Sequence, residues 1–221
     1  MTEGLINVNG DSVQTLEILF LTTVITLLPS ILVMMTSFSR IIISLSFLRT
    51  AMGTQQNPPN MVLIGIALFL TLFIMNPVLT QIQQEAYEPY TRQEITQEEA
   101  LERAQVPIKE FMLRNTEGSS LTLFCDLAGV DEPADDAAAM ALPLRVVIPS
   151  YMTSELKAAF QIGFFLYIPF MLIDIVVSST LMSMGMIMLP PAMISMPFKL
   201  LLFITVDGWQ LLFSTLAQGF R

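Results

Sequence analysis

The sequence predicts an all-α integral-membrane protein in which helical hairpins flank a small, mainly helical polar insert. Three observations carry this. Hydrophobic residues make up 53% of the chain and charged residues only 13%, about half the charged share of an ordinary soluble domain. The charge is also unevenly placed: residues 81–150 hold 13 acidic and 5 basic side chains, whereas residues 151–221 hold 3 and 3. On either side of the insert lie uncharged apolar runs long enough to cross a bilayer. A length of 221 residues allows one or two domains. The resulting order is an exported N-terminal segment (1–17), a first apolar hairpin (18–80), an acidic insert (81–150) and a second apolar hairpin (151–221).

The first apolar block runs from Ile18 to Leu48, interrupted by Pro29, the polar run Thr36 to Ser39, and Arg40. A straight helix of that length would measure about 46 Å, more than the roughly 30 Å hydrocarbon core, so it must tilt, break or protrude. Gly53 to Asn60 (GTQQNPPN) reads as a turn, because Pro58 and Pro59 lack amide donors and push their predecessors out of helical geometry. Met61 to Leu79 then gives one uncharged span. In the insert, Thr96 and Glu99 have capping-box spacing, and Pro107 can open a short helix with Ile108, Phe111 and Met112 on one face. Residues 118–143 read as loops with one short helix around Leu121 to Leu127. After a break at Ile148-Pro149-Ser150, Ser154 is the expected cap of a helix that starts at Glu155 and continues to Val177, with a kink at Pro169. Residues 178–199 carry six methionines, Gly185, Pro190, Pro191 and Pro197, which one smooth helix cannot accommodate. Leu200 to Phe220 completes the second hairpin.

Residue supply excludes several function classes. There are no histidines and Cys125 is the single cysteine, so zinc sites, internal disulfides and Cys/His nucleophile pairs are not available. Cys125 reads most simply as a small buried hydrophobe. No GxxxxGK[ST] loop or GxSxG elbow is present, and adjacent acids such as Glu98/Glu99 and Asp135/Asp136 point in different directions on a helix. No enzymatic activity, metal or cofactor is therefore expected. The net charge of −9 comes mostly from the insert, which disfavours a nucleic-acid partner. Met1 to Ser12 lack the basic and apolar regions of a secretory signal; the expectation is that none is used, or that the chain starts at a mature N-terminus. Arg40 and Arg49 flank the first turn and Lys199 lies near the second. The positive-inside rule then places both turns towards the cytoplasm, and the N-terminal segment and insert outside.

Asp174, Lys199 and Asp207 lie within apolar stretches, where an unpaired charge costs on the order of 2.5 to 3.5 kcal/mol. If the second hairpin turns between Met186 and Ile187, Asp174 and Lys199 stand equally far from the turn and reach similar depth. They are expected to pair, within one chain or between neighbours, as a tie that fixes helix register. A proton-relay carboxylate at Asp174 or Asp207 is the alternative. Methionines at 182, 184, 186 and 188 recur at every second residue, which puts them on one side of an extended segment. Flexible thioethers repack against many surfaces, so a ring of such loops could close a pore around unrelated polypeptides. The same residues could equally be packing filler, and the alternation alone leaves both readings open.

TSFSRI (Thr36 to Ile41), LRTAMGTQQNPPN (Leu48 to Asn60), GIALFLTLFIMNPV (Gly65 to Val78), PSYMTSELKAAFQIGFFLYIPF (Pro149 to Phe170), LMSMGMIMLPPAMIS (Leu181 to Ser195) and PFKLLLFITVDGW (Pro197 to Trp209) closely resemble, in order, segments of the FliP family of flagellar type III export gate proteins. The likeness covers both apolar halves and little of the insert. It implies several copies per gate, five on the family's pattern. These would assemble with FliQ, FliR and other export-apparatus membrane proteins into a helical, conical channel in the bacterial inner membrane at the flagellar basal body. Unfolded flagellar subunits would be its substrates, and membrane lipid would meet only part of its apolar surface. The resemblance also implies a methionine-rich gasket, which maps onto Met184, Met186, Ile187 and Met188; Ile187 departs from an uninterrupted methionine run and stiffens it.

Three rival readings remain at the level of sequence. An injectisome homologue of virulence secretion shares the gate chemistry but usually has a shorter insert. A small-solute or ion transporter would use Asp174, Lys199 and Asp207 as a midplane site. The last rival is a membrane scaffold without a pore.

Overall fold

A computed structural model of the chain describes residues 6–8, 11–13, 15–186 and 188–220. A short antiparallel pair, β1 (Ile6–Val8) and β2 (Asp11–Val13), with Ile6 opposite Val13, precedes an otherwise helical chain. The helices are α1 (Thr15–Met34), α2 (Phe38–Met52) and α3 (Asn60–Ile82), then α4 (Glu88–Thr91), α5 (Gln97–Arg114), α6 (Gly118–Ala128) and α7 (Asp136–Ala141), and finally α8 (Leu144–Ser183), α9 (Pro191–Thr205) and α10 (Gly208–Gln218). The all-α expectation holds. A π-helical turn, Gln83–Tyr87, joins α3 to α4, so helical structure runs from Asn60 to Thr91. That run and α8, at 32 and 40 residues, are long and apolar enough to cross a membrane; α9 and α10, bent by 63° at their junction, make a third candidate if read as one broken span.

The apolar block 18–48 breaks at the polar run Thr36–Ser37, which separates α1 from α2. The first half is thus three helices, of which α2 and α3 form the hairpin. Gly53 ends α2 in the left-handed region (φ +73°), donating its amide to the Thr50 carbonyl, a conformation that costs glycine little. In the core, α2 lies along α8, with Ile41, Leu45, Leu48 and Ala51 buried against Leu63 and Ala67 of α3, Phe170 of α8, Phe203 of α9, and Leu212 and Leu216 of α10. Close approach of α2 and α8 depends on Gly163: a Cβ there would lie 2.5 Å from the Phe47 ring.

Prolines mislead the reading of the insert. Pro107 lies inside α5 rather than at the start of a separate helix, and Pro149 lies inside α8, which begins at Leu144 and not at a Ser154 cap. Interior proline costs about 3 kcal/mol of helix propensity. Here Val146, Val147 and Tyr151 are fully buried with Phe111, Met112, Cys125 and Leu142, and each such side chain contributes about 1.5–3 kcal/mol, so packing wins. Ser154 instead donates its hydroxyl to the Ser150 carbonyl and accepts the Glu117 amide at 2.9 Å, docking the start of α6 onto α8. The stretch expected as loop contains α7, capped by Asp135, which accepts the Ala138 amide at 2.7 Å. Lys109 donates to the carbonyls of Met140 and Leu142 at the far end of α7, where a cation complements the helix dipole. Thr96 accepts the Glu99 amide at 3.3 Å, capping α5. Because Met35 and Met75 join the same cluster, the insert is packed onto the apolar helices, and α8 belongs to both.

Candidate functional site

The methionine-rich turn is built by a helix stop. At the end of α8 the Gly185 amide bonds to the Met182 carbonyl and the Met186 amide to the Leu181 carbonyl, both at 3.0 Å, with Gly185 at φ +75°. This is a Schellman closure. Pro190 and Pro191 follow, and Pro191 takes the first position of α9, where its missing amide costs nothing. Met182, Met184, Met186 and Met188 are all exposed, Met188 by 97%. The geometry differs from an extended segment: Met182 sits in the last turn of α8 and Met184 caps it, so the every-second-residue spacing does not place four thioethers on one side of a strand. What the turn displays is a cluster of apolar, adaptable side chains at the tip of a hairpin. Ile187 lies outside the described residues.

Below the turn, Lys199 donates to Asp174 Oδ2 at 2.6 Å and to the Ala51 carbonyl at 3.1 Å, while the Ser195 hydroxyl donates to Asp174 Oδ1 at 2.6 Å. Ser195 and Lys199 share one face of α9 as an i, i+4 pair, so a single carboxylate on α8 receives both. The Lys199 side chain is 7% exposed and that of Asp174 41%. The ammonium also meets the carbonyl end of α2, where the helix dipole favours a cation. Three helices are thereby tied at one point.

A second charged junction joins residues that sequence reasoning kept apart. Arg40 Nε donates to Glu155 Oε2 at 2.9 Å, Nη2 donates to Oε1, and Nη1 donates to the Gly219 carbonyl at 2.9 Å. The guanidinium carbon lies 3.9 Å from the centroid of the Phe220 ring, which stacks in turn on Phe111 at 6.0 Å. Both charged side chains are buried. Arg40 therefore does not flank the first turn as a surface base, and Glu155 does not open a helix. The bidentate fork and the stacked ring are interactions a lysine could not reproduce. The sequence signal for this junction is Arg40 itself, a charge inside an apolar block that needs a partner.

Of the remaining sequence-predicted residues, Arg49 stays at the turn, donating to the Pro58 carbonyl at 3.3 Å and to Asn60 Oδ1 at the start of α3. Asp207 stands apart from Asp174 and Lys199. It is exposed at the bend between α9 and α10 in left-handed geometry (φ +50°), and its carbonyl accepts the Leu211 amide at 3.0 Å. Among the described residues no group of three or more His, Cys, Asp or Glu side chains could hold a metal ion.

These features coincide with a known family. The FliP family profile matches residues 21–216. The flagellar biosynthetic protein FliP of Pectobacterium carotovorum subsp. carotovorum is 55% identical over 209 residues, covering 95% of this chain and 79% of that protein. Its namesake in Bacillus subtilis (strain 168) is 52% identical over 207 residues, covering 94% and 92%. The one in Aquifex aeolicus (strain VF5) is 47% identical over 217 residues, covering 96% and 88%. With the profile spanning both apolar halves and the insert, and relatives this similar over nearly the whole chain, the protein belongs to the FliP family.

Proposed function

We propose that this chain is a core channel subunit of the flagellar type III protein export gate, and that several copies, five on the family's pattern, assemble with FliQ, FliR and other export-apparatus membrane proteins in the bacterial inner membrane. Unfolded flagellar subunits pass through the channel, and Met184, Met186, Ile187 and Met188 close it at rest. The chain performs no catalysis in this role; partners or an ion gradient supply the energy. The acidic insert faces the periplasm and the Gly53–Asn60 turn the cytoplasm. Asp174 with Lys199, and Arg40 with Glu155, hold the helices in register for assembly.

The observation that carries this reading is the exposed methionine cluster at a rigidly capped hairpin tip, in a chain whose relatives bear a flagellar biosynthesis name. Thioethers on a tip that touches little of its own chain are free to meet the tips of other copies, and their softness lets the contact yield. Replacing Met184, Met186 and Met188 together by Ala removes that volume from every tip. Assembly should survive, because the tips contribute little packing within the subunit, and small-ion leakage through the assembled complex in planar bilayers should rise. An assembled triple variant whose conductance equals the parent's refutes the seal. Loss of assembly favours packing filler, since buried methionines cost about 2–5 kcal/mol each on truncation.

A further inference from the structure

We infer that Asp207 of one copy pairs with Arg49 of the next, making a heterologous contact between subunits at a fixed depth. The inference rests on the multi-copy reading above.

The buried charges of the apolar helices are paired within the chain. Among the described residues of the apolar helices, Arg40 is held by Glu155, Lys199 by Asp174, and Lys157 by Glu117 at 2.6 Å. Among the described residues Asp207 and Arg145 make no ion pair, and Arg49 donates only to a carbonyl and an amide oxygen. Asp207 is also flanked by exposed apolar residues, Ile204, Val206 and Leu211, so its surroundings are those of a lipid or protein contact and not of bulk water. A lone carboxylate there is unfavourable against hydrocarbon. The left-handed backbone at this position would suit Gly or Asn as well, so the conformation alone does not account for a charge.

Depth selects the partner. Helices α2 and α8 run parallel, because Arg40 meets Glu155 and Phe47 meets Gly163; residues side by side differ by 115 in number at the first of these contacts. Val206 and Gly208 line one groove with the α8 segment from Ile162 to Phe170, so Asp207 lies level with that segment. The same offset puts that segment beside residues 47–55, the end of α2 and the start of its turn, and Arg49 falls inside that window. Arg145 is a poor match, being 17–25 residues away along α8, about 25–38 Å. Arg49 and Asp207 thus share a level yet make no bond within the chain. Copies related by rotation about an axis through the membrane keep their depth and place one face against a different face of the neighbour. The two leftover charges of opposite sign then meet. Arg can engage a carboxylate through two donors while keeping its bond to the turn.

The test uses full-length chain extracted in detergent, with oligomer yield read by native mass measurement. Arg49→Asp and Asp207→Arg should each lower the oligomer fraction by about tenfold, as expected for like charges meeting at an interface. Together they should restore it to at least half the parent level. In a Cys125→Ala background, chains bearing only Arg49→Cys, co-expressed with chains bearing only Asp207→Cys, should give dimers with a short bismaleimide. Restoration and inter-chain cross-links support the pair. Parent oligomers that form normally but give no cross-link from the mixed cysteine chains overturn it, whatever the charge-swap variants do. A parent chain that never oligomerises, alone or with its export-apparatus partners, overturns the multi-copy reading itself and the pair with it.

Discussion

Removing one member of the Asp174–Lys199 pair tests whether the tie holds the helices together or decorates them. In Asp174→Ala, the Lys199 ammonium, 7% exposed as a side chain, keeps the Ala51 carbonyl at 3.1 Å as its described partner. Breaking a fully buried pair costs about 3–5 kcal/mol. Water reaches Asp174, whose side chain is 41% exposed, so screening reduces the expected loss to about 2–3 kcal/mol. Lys199→Ala leaves the carboxylate with the Ser195 hydroxyl and solvent, and should cost about 1–2 kcal/mol for the charge. Loss of its buried methylene stem adds about 1–2 kcal/mol. The double variant has no orphaned charge, so its loss should fall short of the sum by about 1–2 kcal/mol. Trp209, the single tryptophan, packs edge-on against Phe203 with centroids 5.2 Å apart, and its fluorescence reports unfolding of α9 and α10 in detergent. Losses that add to within about 0.5 kcal/mol would show that the two residues act independently and would refute the tie.

Gly163→Ala places a methyl 2.5 Å from the Phe47 ring and should destabilise the α2–α8 contact by about 1–3 kcal/mol; adding Phe47→Leu should recover part of that loss in the same unfolding assay, and no recovery would locate the strain elsewhere. Burial, with lesser contributions from Glu132 and Asp126, pushes the Cys125 thiol above its ordinary value of 9.0. The folded state keeps its proton after the unfolded state has lost it, so this residue's contribution is fully present below about pH 9 and declines as pH rises through that value. Stability should fall between pH 8 and 10 in the parent and less in Cys125→Ala, and an equal fall in both would remove Cys125 as the cause. A reporter fused near Asp135 should behave as external and one near Gln55 as cytoplasmic; the reverse labelling would invert the proposed topology.

The class of fold was legible because membrane helices announce themselves by uninterrupted apolar length, and Asp174 and Lys199 could be set at similar depth by counting outward from a turn. Boundaries were less legible where packing overrides local preference. Pro107 read as a helix start and Pro149 as a break, yet each lies inside a helix whose neighbours are buried in the insert core. Arg40 and Glu155 are 115 residues apart, and no periodicity connects positions that far separated. Arg40 also offered a ready explanation as a topology signal, which concealed its need for a partner. The methionine spacing suggested an extended strand, whereas Gly185 provides a helix stop that consumes two of those positions.

The continuity of α8 has a mechanical meaning. One helix starts in the insert core at Leu144 and ends at the methionine turn after Ser183, a rod about 60 Å long. Its base is clamped by Val146, Val147 and Tyr151 in the insert and by Glu155 on Arg40, while its far end carries the exposed tip. If α8 tilts as one body, lever geometry turns about 5° at the base into about 5 Å at the tip, close to the reach of one methionine side chain, and α2 and α9, tied to α8 at Asp174, move with it. Pro169, which leaves the Phe165 carbonyl without its amide partner, is the compliant point in the outer half of the rod. A force applied to the insert is therefore delivered, with amplification and one spring in series, to the other end of the molecule.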